Sequence, residues 1–110
     1  MILEIVSLRI RPGDQGAFES AFDKALRLLP GIAGYRSHEL RRSIECDRSY
    51  VLLTEWHALE NVTLGFRKSA DFARWHQLLE SFVERSPQID YFGAAISGNQ
   101  LDTKLSSSID

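Results

Sequence analysis

A chain of 110 residues with 44% hydrophobic and 25% charged residues has the composition of one small globular domain with a single core. Its net charge of -2 is spread over interspersed acids and bases, with no like-charge run longer than Arg41-Arg42, which argues against nucleic acid or an anionic membrane as a partner. No segment approaches the roughly 20 apolar residues of a membrane span, and Met1 to Ile10 lacks the basic start and small-residue cleavage site of a secretory signal. A lone cysteine, Cys46, excludes an internal disulfide and leads us to expect a reducing, cytoplasmic setting. A domain this small buries a modest share of its surface, so self-association is an expected source of stability.

Ile2 to Ile10 is rich in β-branched residues and reads as a strand, with alternating sets Ile2, Glu4, Val6, Leu8, Ile10 and Leu3, Ile5, Ser7, Arg9. Pro12-Gly13 ends it. Asp14 is placed to cap a helix, its carboxylate accepting free amide hydrogens of the first turn. Phe18, Ala21, Phe22, Ala25, Leu26 and Leu29 then follow helical spacing as far as Pro30-Gly31. Gly34 to Glu45 alternates weakly, Cys46-Asp47-Arg48 turns, and Ser49 to His57 is the stronger strand of an antiparallel hairpin. A short helical segment over Leu59 to Phe66 leads to Ser69, an N-cap for a helix running to about Arg85. Past Pro87, Gln88 to Ser97 reads as a last strand, thinned on one face by Gly93 and Ala95. Residues 98–110 are Ser-rich, with Leu101, Leu105 and Ile109 at near-helical spacing. They read as a loose tail or an arm laid on a partner, set apart from a domain over residues 1–97.

The order β-α-β-β-α-β predicts an α+β, ferredoxin-like fold in which one antiparallel sheet carries both helices on one face. The other face is apolar too: Leu3 and Ile5 oppose Ile2, Val6 and Leu8, while Val51 and Leu53 oppose Tyr50, Leu52 and Trp56. A second copy packed sheet against sheet would cover it as a homodimer. Glu55, among apolar neighbours, then needs an arginine such as Arg9 or a place at the seam between copies.

On a helical wheel Phe72, Trp75, Leu78, Leu79, Phe82 and Val83 share one side, Arg74, Gln77, Glu80, Ser81 and Glu84 the other, and His76 falls at the border. A border imidazole can face a cavity between helix and sheet, where this side chain type serves as a general base. The competing expectation is a packed histidine bonded to a backbone carbonyl. Trp56, Trp75, Tyr91 and Phe92 offer flat apolar surface that would enclose a planar molecule, although core packing explains each of them alone. Arg67 is placed to hold an enolate or phenolate oxygen, unless it is a solvated surface arginine. His38 and His57 have no acid or histidine at ligand spacing, so no metal site is expected. Cys46 sits beside Glu45 and Asp47, acids that raise a thiol pKa, and is not expected to act as a nucleophile.

Over residues 1–97 the chain resembles the antibiotic biosynthesis monooxygenase family of dimeric α/β-barrel proteins. The resemblance is carried by Arg11-Pro12-Gly13 after the first strand, by YVLLTEWHALE (Tyr50 to Glu60), and by GFRKSADFARWHQLLESF (Gly65 to Phe82) followed by Pro87 and Asp90-Tyr91-Phe92. It implies a homodimer. Members of that family include enzymes that oxygenate hydroquinones and polyketide phenols without metal or flavin. On that pattern the chain is a cofactor-independent monooxygenase that uses dioxygen, with His76 as its catalytic base. Trp56, Phe66, Arg67, Phe72, Trp75 and Tyr91 then surround a small aromatic substrate. Many quinol-type members carry two histidines whose places hold Phe66 and Asp71 here. A haem-degrading branch implies instead that His76, seven residues after Ser69, ligates iron. Phe66 then stands where that branch has a tryptophan, and Val6 or Ser7 where it has an asparagine. A further alternative is a dimeric ligand-binding or accessory module without turnover.

Overall fold

Residues 1–98, which the computed structural model describes, run β1 (Ile2–Arg9), α1 (Gln15–Ala25), β2 (Tyr35–Arg42), β3 (Ser49–Trp56), α2 (Ala70–Leu79) and β4 (Gln88–Phe92). The tail expected after Gly98 lies outside the described residues. All neighbouring strands are antiparallel and the sheet order is β2-β3-β1-β4, the ferredoxin-like topology that the element order predicts.

Every second side chain of β3 is buried, namely Tyr50, Leu52, Thr54 and Trp56. Their partners on β1 are Leu8, Val6, Glu4 and Ile2, so these eight residues share the face beneath the helices. From α1, Phe18, Phe22 and Ala25 are buried against that face, as their spacing requires. The Phe18 ring meets Tyr50 edge-on at 4.9 Å, and burying a phenylalanine fully contributes about 2–3 kcal/mol. The Tyr50 hydroxyl donates to Glu19 Oε2 at 2.5 Å. Burial first, and then this bond to Glu19, push the phenol from the ordinary 10 up to about 12. The folded chain therefore holds this proton where the unfolded chain has lost it. The contribution to stability is fully present below pH 10 and is lost as pH rises through about 12. Urea midpoints should fall over that window in the native chain, and fall less in Tyr50→Phe.

Several boundaries differ from the expectation, each for a local reason. The Asp14 carboxylate makes no capping bond. Asp14 belongs to a turn in which its N–H donates to the Arg11 carbonyl and its own carbonyl accepts from Phe18 N–H at 2.8 Å. After Ala25 the chain tightens into a 3-10 turn over Leu26–Leu28, which still delivers Leu29 to the core. Leu59 to Phe66 is not a plain helix: a π turn at Asn61–Gly65 runs into a 3-10 turn at Phe66–Lys68. α2 ends at Leu79 and not near Arg85, because Val83 forms a β-bridge with Ile10. Arg11 N–H to the Phe82 carbonyl (2.9 Å) and Glu84 N–H to the Arg9 carbonyl (2.8 Å) hold this segment against the end of β1. β4 stops at Phe92, whose partner Leu3 is nearly the first residue of β1, so Gly93 and Ala95 fall beyond the strand.

Two joints fix the approach to α2. At the end of the α1–β2 connection Gly34 has φ +84 and its Cα faces Asn61 so closely that a Cβ would collide with that side chain. Asn61 Oδ1 in turn accepts from Ala58 N–H at 2.9 Å. At the start of α2, Ser69 Oγ accepts from Phe72 N–H at 3.1 Å, the cap that its position predicts. Ser69→Ala should cost about 1 kcal/mol, measured by chemical denaturation.

On the opposite face of the sheet Leu3, Ile5, Val51 and Leu53 are only half-buried, and Phe92 is 53% exposed. Glu55 lies on this face beside Leu3, whereas Arg9 pairs with Ser49 at the far end of the ladder. Six residue steps of strand put them about 20 Å apart, so the Arg9 partnership considered for Glu55 does not form. Arg9 Nη1 instead points at Cys46 Sγ, 3.5 Å away. The Cys46 thiol is shifted the opposite way from the sequence expectation. Hydrogen bonds from the Ser49 side chain and the Arg48 backbone lower its pKa, helped by the charges of Arg9 and Arg48.

Candidate functional site

A cavity of about 550 Å³ separates the sheet from α2. Glu4, Val6 and Leu8 of β1, Leu52, Thr54 and Trp56 of β3, and Ile89 of β4 form its floor. Phe18, Phe22 and Leu29 close one side, and Phe66, Arg67, Phe72, Trp75, His76 and Leu79 the other. The exposed residues Glu80, Arg85, Ser86 and Pro87 border its opening.

The aromatic wall is a connected set. Trp56, fully buried, lies 5.8 Å from Phe66 ring to ring. Phe66 meets Phe72 edge-on at 5.3 Å and Trp75 at 5.8 Å, and Trp75 meets Phe22 at 5.6 Å. Such pairs add about 0.5–1.5 kcal/mol each beyond area burial. The 3-10 turn that turns Phe66 inward is tied to α2 because the Ser69 hydroxyl donates to the Phe66 carbonyl at 2.6 Å.

One end of the cavity is charged. Glu4, 4% exposed, stands on the core face of β1 among Ile2, Val6 and Leu8. Its Oε1 accepts from Trp56 Nε1 at 3.2 Å and its Oε2 from Arg67 Nη2 at 3.0 Å. The Arg67 guanidinium lies 5.5 Å above the Phe72 ring, a cation–π placement, and its Nε is buried without a partner. A buried carboxylate is costly unless paired, so Trp56 and Arg67 are what permit Glu4 here. Tyr91 sits opposite Glu4 in the β1–β4 ladder. Burial first and then the Glu4 charge raise its pKa, with Arg67 opposing.

The residues named from sequence thus fall into different places. Trp56, Phe66, Arg67, Phe72, Trp75 and His76 all line the one cavity. Tyr91 does not line it; it flanks the Glu4–Arg67 pair from edge strand β4. Arg67 is not a solvated surface group. His76 is exposed, its side chain at 60%, and its Nδ1 lies 3.2 Å from Glu80 Oε2 one turn on. Its observed partner is therefore a carboxylate and not a backbone carbonyl, and Nε2 is left free at the cavity mouth. Exposed pairs of this kind are weak, so the contact orients the ring more than it stabilises the fold. Sequence reasoning missed Glu4. The signal was present: a carboxylate in the same alternating set as Ile2, Val6 and Leu8 must find a buried donor.

For the haem alternative the fit is poor. His76 offers one nitrogen at the rim, while the inner wall that a porphyrin would meet presents the Glu4 carboxylate.

A four-stranded ferredoxin-like sheet roofed by helices, with an aromatic cavity between the layers, defines a class of small α+β domains. Comparison with known proteins makes this specific. The chain belongs to the antibiotic biosynthesis monooxygenase family, whose model matches residues 1–78. It is similar to the uncharacterized protein YczJ of Bacillus subtilis (strain 168), with 37% identity over 92 residues, covering 84% of this chain and 97% of that one. A crystal structure from Bordetella bronchiseptica bearing the same family name superposes with a TM-score of 0.83 at 32% identity, over 86% of this chain and 97% of the other. SnoaB of Streptomyces nogalater, a cofactor-independent oxygenase, shares the fold with a TM-score of 0.76 at 19% identity, over 87% and 94% of the two chains.

Proposed function

We propose that this protein is a cofactor-independent monooxygenase, working as a cytoplasmic homodimer on a phenolic or hydroquinone-type aromatic substrate with dioxygen. The observation that supports this most is the aromatic-walled cavity of about 550 Å³ with one charged end. A planar ring fits between the Trp56–Phe66 wall and α2, shielded from water. His76 Nε2, oriented by Glu80, takes the proton of a substrate hydroxyl at the mouth. The anion passes an electron to dioxygen, and the two radicals combine at a ring carbon held in the cavity. Loss of water then leaves a quinone. For a hydroquinone the sum is hydroquinone plus dioxygen giving hydroxyquinone plus water, so all the reducing electrons come from the substrate and no outside reductant is consumed.

The test is dioxygen uptake by chelator-treated protein with hydroquinones, naphthols and anthrones, beside His76→Ala. Uptake that requires the protein and falls in the variant supports the proposal. Full turnover in His76→Ala removes the base assignment. Tight binding without uptake favours the ligand-binding module.

The homodimer rests on the uncovered face of Leu3, Ile5, Val51, Leu53 and Phe92. Leu53→Asp should shift the sedimentation coefficient from that of a dimer to that of a monomer. An unchanged dimer places the interface elsewhere.

A further inference from the structure

A carboxylate and a guanidinium that face one apolar cavity do more than satisfy each other. Glu4 is held by one donor on each oxygen, from Trp56 and from Arg67, and the Tyr91 phenol on β4 also stands within reach of both Glu4 and Arg67. A carboxylate has about four lone-pair positions, so acceptor capacity remains. Arg67, which also lines the cavity, has a buried Nε with no partner. The rest of the enclosing wall is largely aromatic and aliphatic, and the remaining charged lining residues, Glu80 and Arg85, stand exposed at the opening.

We propose that Glu4 and Arg67 form the recognition end of the cavity and select a planar aromatic ligand through one ring hydroxyl, which donates to Glu4 and accepts from Arg67. A single hydroxyl is the group that answers both at once. A methyl ether keeps the acceptor and loses the donor. A carboxylate accepts from Arg67 but is repelled by Glu4. An unsubstituted ring meets neither, and desolvates the pair for nothing in return. This rests on the reading that the cavity holds an aromatic substrate, and it assigns the substrate's orientation: hydroxyl inward at Glu4, the opposite edge toward His76 and the mouth. For a hydroquinone, whose hydroxyls lie at opposite ends of the ring, one hydroxyl is anchored while the other faces His76.

The experiment is equilibrium binding to the full chain of naphthol, methoxynaphthalene, naphthoate and naphthalene, followed by quenching of the tryptophan fluorescence that Trp56 and Trp75 supply. In the native protein naphthol should bind at least about tenfold tighter than methoxynaphthalene or naphthoate. Glu4→Met should bring the naphthol preference to within about threefold, with naphthalene binding retained. Glu4→Gln, which keeps the shape of the side chain, should lower the preference by at least about threefold and serves if Glu4→Met does not fold. A naphthol preference that is absent in the native chain, that survives both substitutions, or that in the native chain is replaced by a preference for naphthoate overturns the assignment to Glu4 and Arg67 while leaving the cavity's role standing. Failure of all four compounds to bind overturns the cavity reading and this proposal with it.

Discussion

Trp56→Ala should lower the free energy of unfolding by about 3–5 kcal/mol, measured by urea denaturation with the midpoint and slope fitted together. Trp56 is fully buried and stands where the sheet, the π turn and the 3-10 turn before α2 converge, packed with Val62, Leu29 and Phe66. Truncation enlarges a cavity that already exists, so the surroundings have little reason to collapse into the gap. It also removes the Nε1 donor from Glu4. Trp56→Phe separates the two effects, since it keeps most of the apolar contact and loses only the donor and part of the volume. Its cost should be less than half that of Trp56→Ala, and naphthol binding should weaken more than naphthalene binding.

Arg67→Leu should cost about 3 kcal/mol, at the lower end for breaking a buried pair, because the Arg67 side chain is 29% exposed and that of Glu4 only 6%. The penalty comes from Glu4, which remains a desolvated charge without its cationic partner. The sign of the second step is the sharper check. Glu4→Leu combined with Arg67→Leu should be more stable than Arg67→Leu alone, because it removes the stranded charge. If the double variant is the less stable of the two, Glu4 is held by something other than Arg67.

The strands and helices were legible in the sequence because their apolar periodicities are strong. Phe18, Phe22, Ala25 and Leu29 are buried as their spacing requires, and the alternation of Ser49 to Trp56 matches the burial along β3. The errors lie where tertiary bonds override local pattern. Phe82 and Val83 continue the helical stripe of α2 on paper. Instead α2 tightens into a 3-10 turn over Glu80–Phe82, and from Val83, bridged to Ile10 and flanked by the bonds from Arg11 and Glu84, the chain is extended. Apolar residues continue to Ile96, yet β4 ends at Phe92, opposite Leu3 near the start of β1. Neither limit is encoded near the residues it affects.

The candidate site was legible by half. Helical geometry brought Phe72, Trp75 and His76 to one region, and Phe66 and Arg67 joined them. Glu4 was passed over although Glu55 raised the same question on β3. The β1–β3 pairing separates the two carboxylates by face: Glu4 turns toward the core and Glu55 toward the uncovered side. The alternation of Glu4 with Ile2, Val6 and Leu8 marks it as buried, but the identity of its donors, Trp56 and Arg67, 52 and 63 residues away, is not written near it. A contact of that span leaves no periodic trace in the sequence.

The most direct test is mass spectrometry of the product formed by purified, chelator-treated protein under heavy-isotope dioxygen with a hydroquinone substrate. Oxygen transfer within this cavity requires one heavy atom per product molecule, at a rate that depends on the protein and drops in Glu4→Met and His76→Ala. Product without the heavy atom, or labelled product formed equally fast without the protein, would contradict it.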